Sequence, residues 1–254
     1  IDNIVAKRGA LFMVNLKHEV MKRGFTVVHI KTDSIKIADA TPEIIKFVMD
    51  YGRLYGYTFE HEATYDRMCL VNNAVYIAKF ATVEKCMALY GYAPGENIED
   101  GGEWTATGTQ FQVPYVFKTL FSKKEITFDD MCETKTVTKG DICLDCNEGM
   151  GDNHNYVFVG RVGQFCPVIP GSGSGELICH NGDKYSAVTG TKGYRWMESE
   201  VVRQLHLEDT IDKSYYNKLV DDALAAINEY CDAEWFCSDA EYDHEFGIPG
   251  QVPF

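Results

Sequence analysis

Residues 27–38, VVHIKTDSIKIA, set one base and one acid, Lys31 and Asp33, between two short apolar runs. A carboxylate held at such a tip is a hard-oxygen donor suited to Mg²⁺. Phosphoryl transfer depends mainly on positioning and charge neutralisation, and two metal ions about 3.5–4 Å apart can stabilise the attacking and leaving oxygens. One aspartate does not build that centre, so its other ligands are expected outside this chain. A second donor set is Cys143-Leu-Asp-Cys146, with His154, Cys166, Cys179 and His180 as conceivable partners for zinc. No second CxxC accompanies it, and nine cysteines, an odd number, do not suggest a disulfide scaffold. Zinc is therefore not expected; unligated thiols in a reducing interior are.

His29 could be catalytic, but alternation along a strand favours a packed or hydrogen-bonded imidazole. TKGYRW (191–196) mixes cations and aromatics as a single-strand DNA surface does, although a hexamer of this kind arises readily by chance. GSGSGE (171–176) lacks the lysine and following helix of a phosphate loop and reads as a turn.

Asp33 must be positioned by the elements on either side of it. Residues 8–24 predict a helix with Leu11, Val14, Leu16 and Val20 on its apolar face and Gly24 as its stop. Val27, Val28, Ile30, Ile35 and Ile37 predict a hairpin pinned into a sheet. Thr41-Pro42-Glu43 supplies a cap, a proline at the first helical position and an early acid, and Ile44, Ile45, Val48, Tyr51 and Leu54 continue the helical period. YTFEHEATY and MCLVNNAVYIAKF read as two further strands, with Asn72-Asn73 near their bend. This order predicts an antiparallel sheet with helices on one face. APGENIEDGG (93–102) reads as a linker. From about 139 to 197 the text is β-like and punctuated by Gly, with turn signals at 170–175 and 181–183. A last helix is capped by Asp212 and carries Tyr216, Leu219, Val220, Ala223, Leu224 and Ile227 on its period. The fold class expected is α+β: an antiparallel palm-like sheet with packed helices, then a β-rich region and a C-terminal helix.

The net charge of −14 argues against the whole surface being a nucleic-acid footprint. Residues 1–80, however, have a balance of +2, so the acidity lies in the remainder. Residues 229–245 carry seven acids and no Lys or Arg, which reads as a solvated acidic end. No apolar run approaches the roughly 18 residues of a membrane helix. The chain starts with Ile1, which suggests a fragment or a processed piece.

A helix, then strand–TDS–strand, a helix, and HEATYDRMCLVNNAVY together resemble the palm of family B DNA polymerases, most of all the bacteriophage and prophage members, the protein-primed group included. The resemblance is carried by residues 8–80 and extends to about 138, where 107–131 resembles the palm-to-thumb passage. The family's Asp-Thr-Asp-Ser turn stands here as Lys31-Thr32-Asp33-Ser34. By resemblance, Asp33 is a catalytic, metal-binding carboxylate, Thr32 and Ser34 shape the turn, and Glu62 is an acid near the metals or a structural residue. Tyr76 matches the tyrosine of a primer-facing Lys-x-Tyr motif, while Arg67 and Lys79 are cations for DNA phosphates. Two positions depart from the pattern: Lys31 replaces the first Asp, and Ala74 replaces the Lys. An ammonium does not bind Mg²⁺, so Lys31 contacts phosphate or primer, pairs with an acid, or is an ordinary turn lysine.

The resemblance implies the C-terminal part of a polymerase, with palm at 1–92, a palm-to-thumb connection at 93–138, and a β-rich thumb-like or accessory region with helix and acidic end at 139–254. It implies two Mg²⁺ ions completed by residues outside this chain, primer–template DNA and deoxynucleotides as partners, no membrane, and the cytoplasm of a bacterial host or infected cell. The isolated chain is expected to be inactive. The alternative is a non-catalytic DNA-binding or assembly module with a degenerate palm, which Lys31, Ala74 and the net charge favour. A β-rich binding domain from 139 onward with a zinc site is the third reading.

Overall fold

The computed structural model describes residues 3–97, 103–149, 152–171 and 173–239. It is an α+β chain whose sheets are antiparallel. Among the described residues, those of 3–108 and 230–239 form one compact unit and Thr109–Glu229 a second. The break thus falls inside the expected connection 93–138, and residues 230–239 belong with the N-terminal part. Residues 98–102 of the linker-like stretch and the acidic end from 240 onward lie outside the described residues, as does Ser172 of the Gly-rich turn. No helix among the described residues is long and apolar enough to cross a membrane.

In the first unit, α1 (Ile4–Lys22) is capped by Asn3, whose Oδ1 accepts from Ala6 N at 3.2 Å, and Gly24 ends it at φ 86°. Its buried face is Phe12, Met13, Leu16 and Val20. The expected face was half wrong, because Leu11 and Val14 are exposed. At about 100° per residue they point roughly 140° and 200° around the helix from Leu16, while 12, 16 and 20 form one i, i+4 row. The helix α2 (Pro42–Leu54) buries Ile44 and Val48 against that row and leaves Leu54 exposed at its end. Thr41 does not cap the backbone of α2. Its hydroxyl instead bonds the Glu43 carboxyl, which holds that acid below its ordinary range. The Phe12 ring lies among Tyr51, Tyr55, Tyr57 and Phe59, with centroids at 4.4–5.9 Å. Gly52 permits this, since a Cβ there would meet the Phe59 ring at 2.6 Å.

The hairpin between these helices pairs β1 (Val27–Lys31) with β2 (Ser34–Ile37). Val27 pairs with Ile37 and His29 with Lys36, so Val28 is an unpaired bulge, and it is exposed. Sequence alternation alone puts Val27 and Ile30 on opposite faces. The bulge resets the alternation, so that Val27, Ile30, Ile35 and Ile37 all pack on the core of α1 and α2. Val28 is thereby corrected from a pinning residue to a solvent-facing one.

The expected strand at 57–64 is not formed; that stretch carries no regular structure. Both strands arise instead from 65–80, as β3 (Tyr65–Asn72) and β4 (Val75–Phe80). Asn72 closes their turn, its Oδ1 accepting from Ala74 N and Val75 N. Then α3 (Val83–Tyr90) runs from its Thr82 cap to Gly91, and β5 (Trp104–Ala106) pairs with β4. A single sheet was expected in this unit. The hydrogen bonding makes two ladders, β1-β2 and β3-β4-β5.

The second unit begins with helical turns, α4 (Thr109–Gln112) and α5 (Pro114–Phe117), the latter running into a π-helical turn at Lys118–Ser122. A 3-10 turn at Phe128–Met131 is closed by Thr127 and Asp130, and Lys118 pairs with the Asp130 carboxylate at 2.7 Å. The strands β6 (Glu133–Thr136), β7 (Asp141–Asp145), β8 (Tyr156–Gly160), β9 (Val162–Val168), β10 (Glu176–Asn181), β11 (Lys184–Ala187) and β12 (Arg195–Glu198) form sheets β11-β10-β7-β8 and β12-β9-β6. The helix α6 (Ser199–Gln204) follows, then α7 (Lys213–Asn228), where Asp212 Oδ1 accepts from Ser214 N at 3.0 Å. Phe165, Trp196 and Tyr216 are wholly buried at the centre of this core.

Candidate functional site

The loop of the first hairpin is Thr32-Asp33, closed by the Lys31–Ser34 pair. Because the core takes Ile30 and Ile35, the opposite face presents His29 and Lys36 as one cross-strand pair and Lys31 with Ser34 as the next. Lys31, Thr32 and Asp33 are exposed. Among the described residues, no side chain forms an ion pair or hydrogen bond with the Asp33 carboxylate.

That face meets the second hairpin. The His29 ring is buried, with Nε2 3.1 Å from the carbonyl of Asn73 at the β3–β4 turn and its centroid 6.5 Å from that of Tyr76. His29 is thus the hydrogen-bonded imidazole that alternation favoured. Lys36 Nζ lies 4.8 Å from the Tyr76 ring centroid, a cation–π contact. Tyr76 is fixed by its own backbone, which donates to Thr107 Oγ1 and accepts from Thr107 N, both at 2.9 Å. Beside it stands Tyr65, centroid 6.4 Å away, whose hydroxyl is pushed up by burial, by the Tyr76 hydroxyl, and by Glu96 and Glu62.

Lys36 was not singled out in the sequence, although it shares a strand face with Ser34. Burial holds its ammonium below the ordinary lysine range; the Glu62 carboxylate counters this, Lys31 adds to it, and Glu96 counters it in turn. The same interactions locate Glu62: it is exposed, with its carboxylate near the Lys36–Tyr65 group. The sign of the pH effect follows. Between the depressed folded value and the unfolded one, the unfolded chain holds a proton that the folded chain does not, so stability rises with pH. Lys36→Met should remove that rise, measured as the urea midpoint while pH is raised toward the ordinary lysine value of about 10.4.

Arg67 and Lys79 are not placed as cations for DNA phosphates. Arg67 on β3 is buried: its guanidinium donates to the carbonyls of Trp235, Phe236 and Ser238 at 3.1, 3.3 and 3.5 Å and lies 4.5 Å from the Trp235 ring centroid. It holds the segment 230–239 on the sheet and is not open to phosphate. Lys79 is largely covered, 5.9 Å from the Trp104 ring centroid and 4.0 Å from Asp239. In TKGYRW, Thr191, Arg195 and Trp196 are buried while Lys192 and Gly193 are exposed, so Arg195 and Trp196 belong to the core and do not offer a surface for a single strand. Arg67→Met should speed amide exchange across 233–238 by at least about tenfold, since charge-assisted bonds worth about 1.5–3 kcal/mol each would be lost. A phosphate-contact role would instead lower salt-dependent DNA affinity.

Of the conceivable zinc donors, Cys143 lies on β7, paired with Ile178 and Phe158, and its thiol is pushed up by burial and by Asp141 and Cys179. Cys146 follows the strand end and is also pushed up by burial. His154 Nδ1 sits 2.6 Å from Oδ2 of the buried Asp145, whose Oδ1 accepts from Asn155 N. Among the described residues no three His, Cys, Asp or Glu side chains gather where they could hold a metal ion. Asp33 has the donor chemistry for Mg²⁺ but supplies a single carboxylate, so it fits only as one ligand of a shared site.

No family model matches the chain, nor does any curated protein or solved structure.

Proposed function

We propose that this chain is the palm and thumb-like part of a phage-type family B DNA polymerase, which adds deoxynucleotides to a primer 3′ end. The observation that carries the reading is the carboxylate of Asp33 at the tip of a bulged hairpin, beside a second hairpin on which Lys36 covers Tyr76. Hairpin backbones hold the tip, and positioning is most of what nucleotidyl transfer asks of a protein. In this reading Asp33 contributes one ligand to a Mg²⁺ site whose remaining carboxylates lie outside these residues. Bound Mg²⁺ would supply charge stabilisation to the transferring phosphoryl group. Tyr76 approaches the primer–template, where contact with backbone and minor-groove edges is largely independent of sequence. The cation of the Lys-x-Tyr motif, missing at Ala74, comes instead from Lys36 on the neighbouring hairpin. Lys31 then faces phosphate beside Asp33.

Primer extension by the full-length protein, with primed template, four deoxynucleotides and Mg²⁺, tests the reading; the chain alone is expected to incorporate nothing. A second reading, a DNA-binding module with a degenerate palm, is favoured by Lys31 where the family has aspartate. Retained DNA binding without incorporation by the full-length protein would select it.

A further inference from the structure

The two sheets of the second unit leave strand edges on β11, β8, β12 and β6. Three of these are blunted. β11 carries Lys184 and Ser186, both exposed, and β6 carries the ion pair of Glu133 and Lys135. β12 is met by Gly175, whose backbone both donates to and accepts from that of Trp196. Lysines, charges and covering chain are the usual guards against pairing with another molecule. β8 has none of them: residues 155–160, NYVFVG, hold no charged side chain and no proline. Tyr156, Val157 and Phe158 are 36, 45 and 69% exposed, so this apolar strand meets solvent on both faces.

The register shows which backbone groups of β8 point away from β7. Cys146 N donates to Asn155 O at 2.8 Å, and Tyr156, Val157 and Phe158 then face Asp145, Leu144 and Cys143 in turn. Bonded and non-bonded pairs alternate in an antiparallel ladder. Asn155 and Val157 therefore turn their groups toward β7, while the N–H and C=O of Tyr156 and Phe158 point outward. Among the described residues no strand takes them up. Val159 is left over where the register shifts between Cys143 and Ile142, and it ends the straight part of the edge.

We propose that β8 pairs antiparallel with β8 of a second copy of this chain, joining two four-stranded sheets across a two-fold axis at Val157. That axis sets Tyr156 opposite the partner subunit's Phe158. Both residues point their backbone groups outward, so each such pair exchanges both N–H···O bonds. Val157 meets its own copy in the non-bonded pair between them. The outer face gains two cross-strand aromatic pairs, each covering a Phe158 ring that is now in water. Moving the axis to Tyr156 or Phe158 would pair an outward residue with one beyond the straight run.

A second copy fits this edge better than a charged segment of another protein does. The edge offers no ion to recognise such a segment. Two chains of net charge −14 repel overall, which favours contact along a stretch without charge. Isologous pairing also needs no further surface, since one edge serves both subunits. The contact buries no more than about 1,000 Å² in total, the low end of specific interfaces, so the dimer is reversible and micromolar.

Sedimentation equilibrium of the full chain from about 1 to about 200 μM tests this. The expected result is a reversible rise toward twice the mass of the chain. Phe158→Lys adds a guarding charge, and Phe158→Pro removes an outward N–H at an edge, where proline is tolerated; each should weaken association at least about tenfold. Ser186→Lys on β11 should leave it unchanged. Register is read by oxidative cross-linking and peptide mapping. Val157→Cys should link to its own copy, because a non-bonded pair lies within disulfide reach, and Phe158→Cys should not. Circular dichroism checks that the variants fold, and the concentration dependence of the unsubstituted chain needs none of them. A chain that stays monomeric to about 200 μM overturns the proposal, even if the edge accepts an extended peptide. So does association undiminished in both Phe158 variants, or cross-linking of Phe158→Cys in preference to Val157→Cys.

Discussion

Asp33→Asn in the full-length protein should lower template-directed incorporation by at least about a hundredfold, the scale for removing one preorganised electrostatic group from a reacting centre. The substitution keeps the size of the side chain and removes its charge. Asp33 is exposed, lies in the hairpin loop, and has no ion-pair or hydrogen-bond partner among the described residues. The fold therefore has little to lose, and the thermal midpoint should stay within about a degree, as for other surface changes. Steady-state primer extension paired with differential scanning calorimetry checks both halves. Undiminished incorporation by Asp33→Asn would remove the central assignment. Loss of activity together with loss of folding would show only that the loop matters to the hairpin.

The largest effect on stability is expected at Arg195. Its guanidinium is buried and donates to Asn147 Oδ1 at 2.7 Å, Asn147 O at 2.8 Å, Ser174 O at 2.5 Å and Ser174 Oγ at 3.2 Å. It thereby fastens β12 to the chain after β7 and to the turn before β10. Truncation to Ala leaves these acceptors buried and unpaired, and the expected cost is about 3–5 kcal/mol, the range for breaking a buried charged network. The second unit should then unfold roughly 10 °C earlier or more. Arg195→Lys should recover little, because an ammonium cannot reproduce a planar fork with several fixed donors. Near-ultraviolet circular dichroism follows the transition, since Trp196 and Tyr216 are wholly buried in that unit. A midpoint change under about 3 °C for Arg195→Ala would show that water replaces the guanidinium at little cost.

What could be read from the chain was what neighbours in sequence decide. The hairpin around Asp33, the start of α2 at Pro42, the Gly24 stop and the Asp212 cap depend on a few adjacent residues, and each lies where its residue types put it. Choices set by distant partners were not legible. Which face of α1 is buried depends on α2, and the bulge at Val28 on what Ile37 and Lys36 must face. Arg67 offers the same guanidinium to a phosphate or to the carbonyls of Trp235 and Phe236, about 170 residues away. Within the candidate site, Asp33 and Tyr76 were found through their neighbours. Lys36 was missed because its significance is a contact between two hairpins.

The unpaired residue in β1 lets one extra residue enter the strand without disturbing its register. Val28 works as a phase shifter: everything after it points the opposite way from where uninterrupted alternation would send it. Replacing Val28 with a polar residue leaves the phase intact. Deleting it would leave a regular ladder in which Val27 still faces Ile37 and His29 still faces Lys36, each on its present side. The hairpin that carries Asp33 should therefore keep the facing of His29, Lys31 and its core residues whether this position changes letter or is removed.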